Sequence, residues 1–548
     1  MPKNIVICAD GTGNSTIKGR GTNVFKLYEG IDENGHRFSD LPEQVAIYHD
    51  GVGTESLKWL RAFGGATGWG LSRNVKDLYA ELIRVYEPGD YIYLFGFSRG
   101  AFTVRTLAGL IAACGIPERS DSIFRDDATF RAAIAERYGD YRKKYTTWIQ
   151  KAWRLIVGPP PALKEKYDLD VKRACLGKNH IVTFVGVWDT VDAVGLPLAI
   201  SDLWNKLIYA FKFPDPKLNP HVAVARHALA LDEARTSFKP VLWNESARDG
   251  GDERIKQVWF AGVHSNVGGG YPHQGMSLVA LDWMMTEAAS VPELEYAGVE
   301  PSARLRFIPQ VRDLIAAAAD VNGKLYDSRA GLGVFYRWTP RDAQQLCDEN
   351  RVPTRVHRTV LERIARGTDG YAPGSLPVNP EVVSTRVGVR VTSELQRCVS
   401  EAHTQDAAMQ GRSLVRRHWA TVRFGNLSYG LFVGATVVLA LLSIVRAVQQ
   451  LLASGASAGG DIKAYFPLVA NAVTVSSLLG VVFDVIRLNP AVVLIGVTAF
   501  VLLLLVDRRL GLVYSEFWHR ERRAFGRALK IKDPLPAAAE AWHLATPR

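Results

Sequence analysis

One serine stands in a setting typical of an enzymatic nucleophile. An apolar, strand-like run that begins at Tyr91 leads into Gly96-x-Ser98-x-Gly100, and a helix pattern follows. A serine on such a strand-to-helix turn presents its hydroxyl at the carboxyl end of a sheet. The glycines fit because side chains at those positions would collide with the neighbouring strand and helix. The pattern predicts a catalytic serine at Ser98, and the alternative is a serine that only shapes a turn.

Two later strand-like runs end in residues that could activate this serine. A serine hydroxyl is a poor nucleophile at neutral pH, so it needs a histidine base and a carboxylate that orients the base. The first run ends in Asp189, with Asp192 as a rival, and the second ends in His264 before a glycine-rich turn, with His273 as the runner-up. We expect a triad of Ser98, Asp189 and His264, in the chain order of the α/β-hydrolase fold.

Acyl transfer also needs hydrogen-bond donors for the developing oxyanion. We expect one to be the backbone N–H of Arg99, the residue after the nucleophile. The second is assigned to Gly11 or Thr12, in the glycine-containing loop after the first strand-like run. A phosphate cradle is a weak alternative for this loop, because its spacing matches neither a P-loop nor a dinucleotide motif. No cofactor is expected.

Length and composition indicate a large chain with more than one domain. It has 548 residues, of which 47% are hydrophobic and 22% charged, enough for a sizeable core. The five cysteines are widely spaced, so we expect neither a disulfide framework nor a metal site. The net charge of +11, with basic residues beside apolar segments, favours contact with lipid, and no nucleic-acid-binding motif is present. The N-terminus has no signal-peptide pattern.

Two uncharged apolar stretches near the C-terminus predict transmembrane helices. Residues 427–445 and 488–506 have about the length that spans a bilayer, and arginines flank both. The segment 464–483 is also uncharged but contains more polar residues, so a third span, a re-entrant piece or an interfacial helix stays open. The positive-inside rule places both ends of a two-span hairpin in the cytoplasm. A pair of buried core helices is the alternative.

Several motifs, taken together, resemble those of one bacterial family. They are Asp10-Gly-Thr-Gly-Asn14, Tyr48-His-Asp-Gly-Val-Gly-Thr54, Gly96-Phe-Ser-Arg-Gly-Ala101, Val187-Trp-Asp-Thr-Val191 and Trp259-Phe-Ala-Gly-Val-His-Ser-Asn-Val-Gly-Gly-Gly-Tyr271, with Leu231-Asp-Glu-Ala-Arg235 and Leu325-Tyr-Asp-Ser-Arg329 as two further blocks. Over about residues 1–345 the chain resembles the α/β-hydrolase-like domains that include the phospholipase effectors of type VI secretion. The resemblance implies a Ser–Asp–His hydrolase that cleaves acyl esters of phospholipids. One departure is Asn266, where an aspartate is expected in many relatives.

These observations combine into one expected architecture and function. We expect an α/β-hydrolase-like sheet with flanking helices over 1–345, a mostly helical connecting region over 346–426, a membrane region over 427–510 and a basic tail over 511–548. The predicted protein is a serine hydrolase of phospholipid acyl esters in the bacterial inner membrane, with its catalytic domain facing the cytoplasm. The alternatives are a hydrolase of other cell-envelope esters and a non-enzymatic membrane scaffold. The sequence identifies no secretion-system or immunity partner.

Overall fold

The structure is a computed structural model of the chain. It describes residues 2–11, 21–37, 40–50, 69–118, 124–143, 163–176, 179–191, 217–245, 253–290, 294, 298–328, 330, 339–385, 389–410 and 490–531, with scattered positions between 419 and 487. The expectations placed on Thr12 and Asp192 lie outside the described residues.

A parallel sheet of eight strands forms the centre of the described chain. In chain order its strands are β1 (Asn4–Ala9), β2 (Gln44–His49), β3 (Tyr91–Phe97), β4 (Val182–Trp188), β5 (Val222–Ala230), β6 (Ile255–Phe260), β7 (Arg355–His357) and β8 (Glu381–Val383). They lie in the order β2-β1-β3-β4-β5-β6-β7-β8, and every neighbouring pair is parallel. The order reverses between β1 and β3, and the carboxyl ends of strands at such a reversal form a crevice that suits a ligand.

The strands at the centre are apolar along their length because helices cover both faces of the sheet. In β1, Ile5 and Ile7 pack into one buried cluster, whereas Val6 and Cys8 pack into a second cluster on the opposite face. This alternation follows from the two-residue period of a strand. Parallel strands buried on both faces read as continuous hydrophobic runs. The predicted α/β class, with a sheet and flanking helices, is confirmed.

The helices fall into three groups. They are α1 (Asn23–Glu29), α2 (Trp69–Val85), α3 (Arg99–Cys114), α4 (Asp127–Lys143), α5 (Leu163–Cys175), α6 (His264–Gly268), α7 (Gly275–Ser290), α8 (Pro309–Ala318), α9 (Ala343–Asn350), α10 (Arg358–Arg366), α11 (Val389–Gln410) and α12 (Pro490–Ala528). Helices α2 to α5 cover one face of the sheet, and α1, α6, α7 and α8 pack against the other. Helices α9 to α12 pack together beside β6, β7 and β8.

The C-terminal part of α12 is docked on the folded chain. Phe517 and Trp518 are buried in the cluster that α9, α10 and α11 also line. The indole Nε1 of Trp518 donates a hydrogen bond of 2.9 Å to the carbonyl oxygen of Pro373. The segment predicted as a basic tail from 511 therefore begins inside this helix. Similarly, β7 and β8 extend the sheet past the domain boundary that the sequence places at 345.

The prediction of membrane-spanning helices finds no support in the described residues. Within the described ranges, no helix combines the length and the apolarity that a bilayer crossing requires. About half of the positions in the predicted span 427–445 are described, and these are helical, whereas the ambiguous segment 464–483 lies largely outside the described residues. Most of the predicted span 488–506 forms the first part of α12.

Candidate active site

Ser98 lies on a sharp turn between β3 and α3. Its backbone has φ 58° and ψ −121°, a conformation that L-residues rarely adopt, and its N–H donates to the carbonyl oxygen of Trp188 at 3.0 Å. Strained backbone that the surroundings hold in place is common at active sites. Ser98 is 7% exposed, so it is buried at the carboxyl end of β3.

The two glycines of the turn are required by close backbone approach. A Cβ added at Gly96 would stand 2.7 Å from the backbone nitrogen of Ala101. One added at Gly100 would stand 2.1 Å from the carbonyl oxygen of Ala9, which ends β1. The strand-to-helix turn is thus pressed against both its own helix and the neighbouring strand, which confirms the steric reason for the Gly-x-Ser-x-Gly spacing.

Asp189 directly follows β4, the strand beside β3. Its backbone also has a positive φ of 40°, and its side chain is fully buried. The Oδ1 atom accepts the N–H of Ala230 at 3.0 Å, and Oδ2 accepts a hydrogen bond of 2.5 Å from Nδ1 of His264. The carboxylate is therefore held at the same edge of the sheet as Ser98.

His264 begins the short helix α6 after β6 and joins the other two residues. Its Nδ1 bonds to Asp189, and its Nε2 lies 2.8 Å from Oγ of Ser98. Because the carboxylate can only accept, Nδ1 carries the proton and Nε2 is left to accept the serine hydroxyl. The imidazole contacts the rings of Phe97 and Phe238, whose centroids are 4.6 and 5.0 Å from its own. The structure thus brings together the three residues that the sequence selected.

The protonation states follow from burial and from the charges nearby. Burial is the main influence on His264 and lowers its pKa below the ordinary value, although Asp189 acts in the opposite direction. Burial opposes ionisation of Asp189, but the Arg341 guanidinium and His264 outweigh it and hold the pKa of that carboxyl well below its usual range. A neutral imidazole beside an ionised carboxylate is the state in which a histidine can accept a proton.

Three charged residues around the triad had no role assigned from the sequence. Arg341 donates from Nη1 and Nη2 to the two carboxylate oxygens of Asp189. Glu233 accepts the backbone N–H of His264 at 3.2 Å, and Arg235 is paired with Glu233 at 2.9 Å. Nothing in the sequence pattern marks Arg341. The acidic and basic pair lies in the block 231–235, whose similarity to family sequences was the one available signal.

The backbone N–H groups predicted as oxyanion donors, those of Arg99 and Gly11, differ in their surroundings. Arg99 is the first residue of α3, so its N–H belongs to the first turn of the helix, where amides point out of the N-terminus. The N–H of Gly11 donates to Oδ1 of its neighbour Asp10 at 2.6 Å, and the same carboxylate accepts the hydroxyls of Thr22 and Tyr48 through Oδ2 at 2.7 Å each. Gly11 thus lies beside the turn, since Gly100 abuts Asp10, but its amide is already bonded.

The rival histidine, His273, lies apart from the triad. It is exposed, its backbone N–H donates to the hydroxyl of Tyr326 at 3.2 Å, and its ring stacks on that residue at 6.4 Å between centroids. The other rival, Asp192, lies outside the described residues. Among the described residues, no cluster of three or more His, Cys, Asp or Glu side chains could hold a metal ion.

Asn266, the departure from the expected aspartate, has a local structural reason. Its Nδ2 donates to the carbonyl oxygen of Lys324 at 3.0 Å, and its Oδ1 accepts the N–H of Tyr326 at 3.3 Å. A carboxylate could accept the amide but could not donate to the carbonyl. The side chain therefore ties the start of α6 to the 324–326 segment as an amide and not as a charge.

Comparison with known proteins places this chain in a family. The family model described as "T6SS, Phospholipase effector Tle1-like, catalytic domain" matches residues 3–287, which is just over half of the chain. The chain belongs to this family. Membership confirms the predicted resemblance to the type VI phospholipase effectors. The matched range contains Ser98, Asp189 and His264.

The similarity to individual proteins covers only part of each of them. The chain is similar to the uncharacterised protein YEL023C of Saccharomyces cerevisiae, at 28% identity over 250 residues, 43% of this chain and 32% of that protein. It spans about a third of that relative. Among solved structures it is similar to the Tle1 effector bound to the VgrG spike of the type VI secretion system, at 18% identity, with 50% and 52% of the two chains covered and a TM-score of 0.28. An uncharacterised protein from Pseudomonas aeruginosa shows 17% identity, coverage of 78% and 67%, and a TM-score of 0.32.

Proposed function

We propose that this chain hydrolyses acyl esters of phospholipids through a triad of Ser98, His264 and Asp189. The single observation that carries the proposal is the unbroken hydrogen-bond chain from the Ser98 hydroxyl through the imidazole to the Asp189 carboxylate. Three strand ends supply these groups at one edge of the sheet, which is where catalytic groups of such folds gather. The family supports the class of substrate.

The reaction proceeds in two proton-balanced halves. Ser98 Oγ attacks the ester carbonyl carbon while Nε2 of His264 takes the hydroxyl proton, and Asp189 stabilises the imidazolium. The imidazolium then returns the proton to the departing alcohol oxygen, which leaves an acyl group on Ser98. A water molecule gives its proton to His264, attacks the acyl carbonyl, and releases the fatty acid as Ser98 regains the proton.

The tetrahedral intermediate needs donors that the nucleophile turn can provide. We assign the backbone N–H of Arg99 as one donor, because it lies next to the nucleophile in the first turn of α3. The second donor stays assigned to the Gly11–Thr12 loop. Gly11 would have to release Asp10 to serve, since its N–H is bonded to that carboxylate.

Attachment to a membrane is proposed from the sequence alone. The apolar stretches at 427–445 and 488–506, with their arginine flanks, are the basis for placing the site beside lipid at the bacterial inner membrane, with the catalytic domain on the cytoplasmic side. Hydrolysis of other cell-envelope esters is the second candidate, because the triad chemistry is the same for any carboxylic ester.

The test compares two substrates and two proteins. Purified wild type and Ser98→Ala are incubated with phosphatidylethanolamine–phosphatidylglycerol vesicles and with a short-chain aryl ester, and released fatty acid and aryl alcohol are measured. We expect fatty-acid release by wild type and none above background by Ser98→Ala. Cleavage of the aryl ester alone would contradict the phospholipase assignment and favour another ester. No Ser98-dependent cleavage of either substrate would contradict the hydrolase itself.

A further inference from the structure

Arg341 makes two hydrogen bonds to the Asp189 carboxylate and two more to backbone carbonyl oxygens nearby. Its Nη1 lies 2.6 Å from Oδ1 of Asp189, and its Nη2 lies 2.9 Å from Oδ2. The same two nitrogens donate to the carbonyl oxygens of Ala230 at 2.6 Å and Phe238 at 2.5 Å. The arginine side chain is 4% exposed and that of Asp189 is fully buried, so solvent screens the pair little.

We propose that Arg341 is a positioning residue that fixes the orientation of Asp189 and keeps His264 in its neutral, proton-accepting form down to lower pH than the triad alone would allow. The proposal rests on the proposed function, since it assigns the arginine a task in that same site.

The orientation argument comes from the number of bonds. Each carboxylate oxygen of Asp189 has two donors, since Oδ1 takes Arg341 and Ala230, and Oδ2 takes Arg341 and His264. A planar fork that engages both oxygens removes rotation of the carboxylate about its last bond. The second hydrogen of Nη2 holds the carbonyl of Phe238, whose ring packs on the imidazole at 5.0 Å. The Arg341 guanidinium therefore holds both the Asp189 carboxylate and the backbone of Phe238, whose ring contacts His264.

The backbone of Arg341 is itself anchored. The next residue, Asp342, is the N-cap of α9, and its carboxylate accepts the N–H of Gln345 at 2.9 Å. An N-cap bond of this kind fixes where a helix begins. The arginine thus reaches the triad from a fixed helix start, and not from the tip of a loop.

The charge argument rests on the ionisable groups that contact the imidazole, and on their partners, in the described part of the chain. Two carboxylates, Asp189 and Glu233, contact His264, one through Nδ1 and one through the backbone N–H. Two guanidiniums, Arg341 and Arg235, are paired with those carboxylates. The surroundings are therefore neutral overall, and an imidazolium formed there is a net buried cation. Burial accordingly lowers the pKa of His264, although the nearest carboxylate raises it.

A further histidine near the acid does not change this balance. His227, on β5, accepts the N–H of Thr190 at Nε2 and lies 3.1 Å from Oε1 of Gln257 at Nδ1. Burial, assisted by Arg105, lowers its pKa to about 3, so it is uncharged over the working range. Removing Arg341 would then leave Asp189 without a permanent cation, and the imidazole would bind a proton more readily.

The expected effect has two separable parts. Arg341→Met removes the charge and the fork, so the acid limb of the pH–rate profile moves to higher pH by about one unit, as expected when a nearby charge is lost. Loss of orientation lowers the rate on the plateau by roughly 100-fold. Arg341→Lys keeps a positive charge but cannot form the two-pronged contact, so its limb stays near that of wild type while its plateau falls.

The matched control is Arg226→Met. Arg226 is also a fully buried arginine in an ion pair, with Glu287 at 2.5 Å, but it lies on β5 away from its carboxyl end. A variant that lost activity only through weaker folding would show a lower plateau with an unmoved limb. Thermal unfolding of all variants, with rates corrected for the folded fraction, separates that effect from positioning.

The experiment measures the second-order rate constant for phosphonylation of Ser98 by a fluorophosphonate between pH 5 and 9. We expect an upward shift of the limb for Arg341→Met, no shift for Arg341→Lys or Arg226→Met, and a lowered plateau for both Arg341 variants. Superimposed profiles for wild type and Arg341→Lys would contradict the orienting role. An unmoved limb in Arg341→Met would contradict the charge role. Wild type that is not labelled at Ser98 would instead overturn the proposed function.

Discussion

The hydroxyl of Ser98 lies 2.8 Å from Nε2 of His264, although 166 positions separate the two residues in the chain. The strands that precede them, β3 and β6, are not neighbours, since β4 and β5 lie between them. The contact forms because α6 begins shortly after β6 ends at Phe260, with His264 as its first residue. Asp189, which directly follows β4, accepts the hydrogen bond from Nδ1 of His264.

Asp189→Asn tests the orienting role of the acid. Asparagine has an NH2 group in place of one carboxylate oxygen, so it cannot accept hydrogen bonds at both positions. Where that NH2 group faces Nδ1 of His264, the ring takes the wrong tautomer. We expect turnover to fall by about 10⁴-fold at neutral pH. The measurement is the initial rate of ester hydrolysis, with circular dichroism to confirm that the variant is folded.

A control for this substitution is Asp90→Asn. Asp90 is also a buried aspartate in an ion pair, with Lys3 at 2.6 Å, but it directly precedes β3, at the opposite end of that strand from Ser98. Its loss weakens folding without touching the site, so the rate per folded molecule stays at the wild-type level. An Asp189→Asn variant as active as this control would contradict the role given to Asp189.

Gly100→Ala tests how tightly the turn is packed. The added Cβ would meet the carbonyl oxygen of Ala9 at 2.1 Å and that of Asp10 at 2.5 Å, so β1 and α3 must move apart. We expect destabilisation of about 1–3 kcal/mol, together with loss of activity as Ser98 is displaced. Gly139→Ala is the matched control, since a Cβ there meets nothing within 4 Å in the described chain and α4 gains about 1 kcal/mol of helix propensity. Equal unfolding midpoints for the two variants would be inconsistent with this packing.

Glu233→Gln tests the pH dependence of stability. Burial opposes ionisation of Glu233, but Arg235 outweighs it and lowers the pKa from 4.5 to about 2. A carboxyl whose pKa is depressed on folding stabilises the native state above its unfolded pKa and loses that contribution as the pH falls through the folded value. The gap in unfolding free energy between wild type and variant should thus be full at pH 7 and close between about 4.5 and 2. Urea titrations at several pH values measure it, and a constant gap would argue against the depressed pKa.

The proximity of Ser98, Asp189 and His264 could be predicted, whereas the residues that hold them in place could not. Ser98, Asp189 and His264 each follow a strand-like apolar run, and parallel strands bring their carboxyl ends to one edge, so order and position were enough. Arg341 follows no strand and belongs to the start of α9, and nothing local in the sequence shows that its fork will reach Asp189. The bond from the Gly11 N–H was equally hidden, because the acceptor is the adjacent Asp10 side chain.

The fold was predictable in class but not in extent. Continuous apolar runs such as Tyr91–Phe97 indicate parallel strands covered on both faces. The last two strands, β7 and β8, have three residues each, too short for periodicity to reveal them. The uncharged stretches near the C-terminus favoured membrane helices because of their composition. Composition shows that a segment is apolar, but it does not show whether lipid or protein contacts that segment.

Asn266→Asp examines the departure from the expected family residue. The substitution replaces the Nδ2 donor by an oxygen that faces the carbonyl of Lys324, at a site that is 1% exposed. A buried carbonyl left without its donor costs about 1–3 kcal/mol, so we expect a lower urea midpoint. A midpoint equal to that of wild type would show that the amide donor is dispensable.

The most direct test of the central claim is covalent capture of the nucleophile. Wild type and Ser98→Ala are treated with a fluorophosphonate, and intact mass and peptide mapping locate the adduct. The account predicts one adduct on Ser98 in wild type, slower labelling in His264→Gln, and none in Ser98→Ala. Labelling that persists in Ser98→Ala, or wild type that stays unmodified while folded, would contradict it.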